Sequence, residues 1–147
     1  IKKYNKPIII MHMPGNPKNM MNKNKYNDVV LDVYDYLENK VKFCEDNGIK
    51  KSNIILDPGI GFGKDFKQNL LILKNLSIFH GIGCAIMVGL SRKRFISNIS
   101  KEELPKKRLG GTISASLTAL QQGINIHRVH DVADIAQSIK VFKQIIN

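Results

Sequence analysis

Residues 53–69 read NIILDPGIGFGKDFKQN, and how this stretch is parsed decides the fold. Ile54, Ile55 and Leu56 form a short apolar run that ends on Asp57 and Pro58, the pattern of a buried strand. Gly59, Gly61 and Gly63 then take alternate positions in one loop. Glycine loses more backbone entropy on folding than any other residue, so this loop either turns sharply or admits something close to its backbone. Helix-forming residues follow. Strand, glycine loop and helix make one βα unit.

The same arrangement recurs along the chain. Apolar runs at PIIIMHM (7–13), CAIMVGL (84–90) and INIHRV (124–129) each end in a polar or glycine-bearing cluster. Their apolar residues are nearly continuous rather than alternating, as in parallel strands covered on both faces. Amphipathic spacing predicts helices over 28–47, 69–76, 108–122 and 131–146, with RKRFISNIS (92–100) as a shorter one. Asp28 and Asp131 stand at helix starts, and Asn47-Gly48 and Gly123 at helix stops. Four βα units in series imply parallel strands joined by crossovers. A doubly wound sheet and a (β/α)8 barrel are both built this way, so the loops must separate them.

Composition bounds the function. A chain of 147 residues with 43% hydrophobic content has enough apolar material for one domain with a real core. No apolar run approaches the ~20 residues needed to span a bilayer. The opening IKKYNKPIIIMHM is basic, but its apolar part is too short for a secretory leader. Because the chain begins at Ile1 rather than Met, a fragment or trimmed product is expected. Cys44 and Cys84 show no metal spacing and read as free thiols of a reducing compartment, which implies the cytoplasm. The net charge of +11 invites a nucleic-acid reading. Lysines outnumber arginines 19 to 4, however, and the basic stretches interleave no aromatics, so the charge reads as solvated surface.

The chemically distinctive residues fall where strands end, which is where α/β barrels gather binding groups. The first strand ends at Met11, His12 and Met13, and the second at Asp57 and the glycine loop. The third ends at Ser91, Arg92, Lys93 and Arg94, and the fourth carries Arg128 and His130 two residues apart, on one strand face. Plainer readings stand beside these. Arg128 also suits a structural ion pair and His130 a helix cap, while His12 between methionines reads as a packed core histidine rather than a metal ligand. The glycine loop is no nucleotide fingerprint. A Walker loop needs glycine at Pro58 and Ser or Thr at Asp65, and the dinucleotide pattern needs its third glycine at Lys64.

What remains is coherent chemistry. A carboxylate at a strand end can accept two hydrogen bonds from the edge of an amino-heterocycle. Glycines let a flat ring lie on the backbone, and Phe62 offers an aromatic wall. Lys93 can donate to a ring atom, and Arg128 with His130 can hold an oxyanion. Together they specify a flat, polar-edged heterocycle that bears a phosphate-like group.

In order along the chain, MHMPGNPKNM, YNDVVLDVYDYL, LDPGIGFGK, VGLSRKRFI, GGTISASLTALQQG and IHRVHDV resemble the C-terminal half of the dihydropteroate synthase family. The resemblance implies the last four βα units of a (β/α)8 TIM barrel, here over 1–147 as one part-domain, normally within a cytoplasmic homodimer. It also implies a transferase of folate biosynthesis, which joins 6-hydroxymethyl-7,8-dihydropterin diphosphate to para-aminobenzoate and releases diphosphate. By resemblance, Asp57 holds the pterin's amino edge, with Met11, Gly61, Phe62 and Lys93 lining its slot. Phe62, Lys93 and Arg94 meet the aminobenzoate, and Arg128 and His130 hold the diphosphate. Lys93, Arg128 and His130 are the expected catalytic groups. The family's magnesium ligand, mobile loops and further pterin contacts belong to the N-terminal half, and no metal ligand is assigned here. Ile60 stands where the family commonly has Phe. Two other readings remain open. One is a barrel resembling methyltetrahydrofolate methyltransferase, which has no diphosphate for Arg128 and His130 to hold. The other is a truncated, non-catalytic remnant.

Overall fold

The computed structural model describes residues 1–22 and 25–146. Four short strands, β1 (Ile8–Met11), β2 (Ile54–Asp57), β3 (Ala85–Val88) and β4 (Ile126–His127), alternate with helices. After β1 comes α1 (Val29–Asp46), and after β2 comes α2 (Phe66–Lys74). After β3 come α3 (Arg94–Ser100) and α4 (Leu109–Gln121), and β4 leads into α5 (Val132–Ile146). All pairings are parallel, and the spatial order β1-β2-β3-β4 is the order in sequence. A doubly wound sheet reverses its strand order at a switch point. This sheet does not reverse, so it winds in one direction as a barrel wall does.

Register decides which residues share a face. Ile9 stands beside Ile55 and Ile55 beside Ala85, while Met87 stands beside Ile126. With a side-chain period of two, Met11, Asp57, Gly89 and Arg128 continue that same face past the strand tips. The opposite face carries Ile54, Leu56, Ile86 and Val88, all buried against Val33, Leu37 and Val41 of α1 and Ile72 of α2. Each fully buried side chain of this kind contributes about 2 kcal/mol. On the face bearing Met11 and Asp57, Ile9 is 52% and Ile126 36% exposed.

The helices begin where local chemistry dictates. Asp28 caps α1 by accepting from the amides of Val30 and Leu31. Helix α2 starts at Phe66, before the expected 69, because Asp65 and Gln68 form a reciprocal capping box. It also stops sooner than expected. Residues Leu76–Ile82 form a 3-10 segment whose buried Leu76, Phe79 and Ile82 recur every third position, the spacing of a three-residue turn.

Candidate active site

Asp57 sits at the tip of β2, only 2% exposed, beside Met11 in strand register. Its Oδ1 accepts the Gly59 amide at 2.8 Å. Burial pushes the carboxyl above the ordinary Asp range, opposed by that amide and by the charges of Arg128, Lys93 and Lys64. Three cations from three strand tips thus act on one buried acid.

The glycine loop is held by the chain itself. Asn69 reaches back from α2, accepting the Gly61 amide at 2.7 Å and donating to the carbonyls of Lys64 and Asp65 at 3.0 and 2.7 Å. Gly59 has φ +72°, and a Cβ there would lie 1.9 Å from the His12 carbonyl oxygen. Gly63 has φ +58°, and its Cβ would meet the Pro14 ring at 2.3 Å. This corrects the expectation that the glycines clear space for a ligand: two of them clear it for the loop that follows β1. Gly61 differs: it is exposed, and the atoms nearest its Cβ position are those of the flexible Lys93 side chain, from 3.2 Å outward.

The other half of the site is a cationic rim. Lys93 is the N-cap residue of α3, with its Nζ 4.2 Å from the Phe62 ring centroid. Burial and then Arg128 depress its pKa, against the pull of Asp57. The Arg128 amide continues the β3 ladder by donating to the Val88 carbonyl at 2.8 Å. Its guanidinium lies over Gly89, where a Cβ would come within 2.7 Å of Nη2. His130 is hydrogen-bonded to buried Ser91 through its amide (3.3 Å) and through Nδ1 (2.9 Å). Phe62, Gly89, Lys93, Arg128 and His130 all line one cleft of about 390 Å³. A neighbouring cleft of about 510 Å³ is lined by Gly61, Lys64, Lys93 and Arg94. Lys93 belongs to both. Asp57 and Met11 line neither and lie on the floor between the strand tips.

Sequence reasoning missed the braces of this rim. Arg92 has φ +59°, an uncommon conformation for a residue with a side chain. It is held there by two hydrogen bonds to Asp131 (3.2 and 2.6 Å), by its amide donating to Thr112 and by its carbonyl accepting from Arg108. Asp131, expected as a helix cap, spends both carboxylate oxygens on Arg92. Buried Arg108 also donates to the carbonyls of Glu102 and Glu103. These partners lie 20 and 39 residues from Arg92 or on a separate loop, so no local pattern marks them.

A parallel arc with Asp57, Lys93, Arg128 and His130 gathered at or just past its strand tips has the layout of an α/β-barrel mouth. Comparison narrows the class. The sequence signature of the family described as Pterin binding enzyme matches residues 1–130, and the chain belongs to that family. It is 39% identical over 135 residues to dihydropteroate synthase of Escherichia coli strain K12, covering 92% of this chain and 48% of that protein. It is also similar to two structures of dihydropteroate synthase from Thermus thermophilus, each at TM-score 0.95 and 35% identity over 99% of this chain. One is in complex with 4-aminobenzoate and the other with 6HMPPP, and the chain covers 59% and 58% of them respectively. The chain therefore spans about half the length of the curated relatives it matches. Its four units are those of a (β/α)8 barrel, matching the C-terminal part of such enzymes.

Proposed function

We propose that this chain supplies the C-terminal half of a dihydropteroate synthase active site. The observation that carries the reading is the meeting of Asp57, Lys93 and Arg128, whose charges act on one another across three strand tips. Asp57 accepts the amino edge of the pterin, Met11 and Gly61 border the ring, and Phe62 with Lys93 forms its wall. Arg128 and His130 receive the diphosphate. Arg94, exposed at the start of α3 beside Lys93, faces the carboxylate of para-aminobenzoate.

The chemistry follows from that assembly. The bond between the exocyclic pterin carbon and the diphosphate oxygen breaks, and its electron pair leaves with the diphosphate, which Arg128 and His130 stabilise. The electron-rich pterin spreads the positive charge left on the carbon. The aminobenzoate nitrogen then forms the new C–N bond and loses a proton to solvent. Positioning and electrostatic stabilisation supply the rate, with no covalent enzyme intermediate. Magnesium belongs to the family reading, but among the described residues no three His, Cys, Asp or Glu side chains gather into a donor set.

The exposed apolar face of the sheet supports a second part of the proposal. Ile9 and Ile126 need cover, and among the described residues the outer edges of β1 and β4 have no strand partner. We assign that cover to an N-terminal half of the same barrel. Exposed Val141, Ile145 and Ile146 on α5 favour a homodimer through the outer helices, and a cytoplasmic setting suits the two free cysteines. Among the described residues no helix is long and apolar enough to cross a membrane. Mixed with a complementary N-terminal barrel half, the chain is expected to form 7,8-dihydropteroate. Turnover that survives Asp57→Asn would overturn the assignment.

A further inference from the structure

Lys64 is a lysine 4% exposed at the centre of the glycine loop. Its Nζ lies 2.9 Å from His12 Nδ1, 3.0 Å from the Gly59 carbonyl oxygen and 3.0 Å from the Phe62 carbonyl oxygen. An ammonium has three donors, and here three acceptors meet it. Each acceptor belongs to a different working part. His12 directly follows β1 and donates its amide to the Asp57 carbonyl; the Gly59 amide holds the Asp57 carboxylate; Phe62 carries the ring against which Lys93 rests. His12 is itself boxed in, 5% exposed and edge-on to Tyr36 with ring centroids 4.8 Å apart.

We propose that Lys64 is a positioning residue of the site, an internal cation that fixes the Asp57 hook and the Phe62 wall relative to each other and favours the ionised, hydrogen-bond-accepting form of Asp57. The inference rests on the proposed role of Asp57 and deepens it. A surface lysine would be solvated and interchangeable. This one has its ammonium hydrogen-bonded to three internal acceptors, two of them in the loop that carries Asp57 and Phe62. The groups facing it are His12, Asp57 and Lys93. Burial depresses the Lys64 pKa to about 7, with Lys93 adding to the fall and Asp57 opposing it. Burial and the Lys64 charge hold the His12 ring neutral down to about pH 4, which leaves Nδ1 able to accept.

The test is a double-mutant cycle on the chain paired with its complementary barrel half, reading affinity for the pterin diphosphate. Lys64→Met is expected to weaken binding at least ~10-fold, equivalent to about 1.4 kcal/mol, and to move the acidic limb of the affinity profile to higher pH. In an Asp57→Asn background the same change should cost clearly less, because only its hold on the Phe62 wall is left to lose. Equal losses in both backgrounds, or an unmoved acidic limb, would overturn the inference while leaving Asp57 in place. If Asp57→Asn alone leaves pterin affinity intact, the parent reading fails instead. Should Lys64→Met not fold, nitrogen NMR of His12 in the unmutated protein decides. A bare, accepting Nδ1 with the proton on Nε2 supports the geometry, and a protonated Nδ1 overturns it.

Discussion

The floor and the rim of the site are built in opposite ways. On the floor, Asp57, Lys64, His12 and Asn69 are all buried, and each is held by at least one hydrogen bond within the chain. On the rim, Arg128 and His130 are exposed, and the Arg128 guanidinium rests on glycine backbone rather than on a carboxylate. The rim is braced one layer back, through Ser91, Arg92, Asp131 and Arg108. The difference suits the two ends of the proposed substrate. A flat ring edge is recognised by fixed acceptors, so its hook is set before binding. A diphosphate is a diffuse, strongly hydrated charge, which exposed cations can meet without first breaking internal ion pairs.

The comparison breaks most sharply at Gly59. Alanine there must adopt φ +72° and place a methyl group against the His12 carbonyl, a backbone atom that cannot step aside. Gly59→Ala should cost about 4 kcal/mol or more, or prevent folding altogether. Denaturant melts of the paired barrel halves measure it, and a loss under ~1 kcal/mol would show that the floor is not rigid.

Acid attacks the same floor next. The His12 ring stays neutral to about pH 4 against an ordinary 6.5, so between those values the unfolded chain binds the proton and the folded chain does not. Stability from His12 is complete above pH 6.5 and is lost as the pH falls through about 4, for a contribution on the order of 3 kcal/mol. Raised Asp57 works in the opposite direction as acid is added, so the His12 part is read from its own ring resonances. A titration midpoint near 4 is expected, and one near 6.5 would refute the sealed floor.

How much of this could be read from the residues divides along the same line. β-branched runs ending in Asp57, Lys93 or Arg128 announce strand tips directly, so the rim groups and the hook were visible, as were the helices that cover the sheet. Strand order was not visible, because four βα units fit two windings. Periodicity alone left the winding open; the family resemblance implied the barrel, and the register that sets Met11 beside Asp57 and Val88 beside His127 agrees with it. Lys64 was opaque for another reason: a lysine among glycines looks solvated until the loop after β1 closes over it. The glycines themselves were legible as constraints but misread in cause, since His12 and Pro14 are close to Gly59 and Gly63 in space and distant in sequence.

The rim should yield function without stability. Lys93→Ala and Arg128→Ala are each expected to lower kcat/KM for dihydropteroate formation at least ~10-fold, on the order of 1.4 kcal/mol of transition-state stabilisation, while the melting midpoint hardly moves. Arg128→Ala should also weaken inorganic diphosphate binding, and more steeply at low salt, because exposed charges are screened by ions. Near-normal turnover in both variants would dismiss the rim assignment. A large stability loss in either would mean that rim and floor are one unit.

Gly110 offers the smallest effect and the sharpest control. It lies exposed in the first turn of α4, and an added Cβ meets nothing within 4 Å, whereas its neighbour Gly111 would press a Cβ to within 2.3 Å of Ile96. Gly110→Ala should therefore stabilise the protein by about 0.5 kcal/mol, through reduced freedom of the unfolded chain and better helix propensity. That corresponds to a rise of roughly 1–2 °C in Tm for a chain of this size. Activity should be unchanged, since Thr112 and the N-cap Arg108, which tie the start of α4 to Arg92, are left in place. If Gly110→Ala instead destabilised the protein as Gly59→Ala does, the cost at Gly59 would reflect a general intolerance of added methyl groups. The contrast between the two positions isolates the close approach of the His12 carbonyl as the cause.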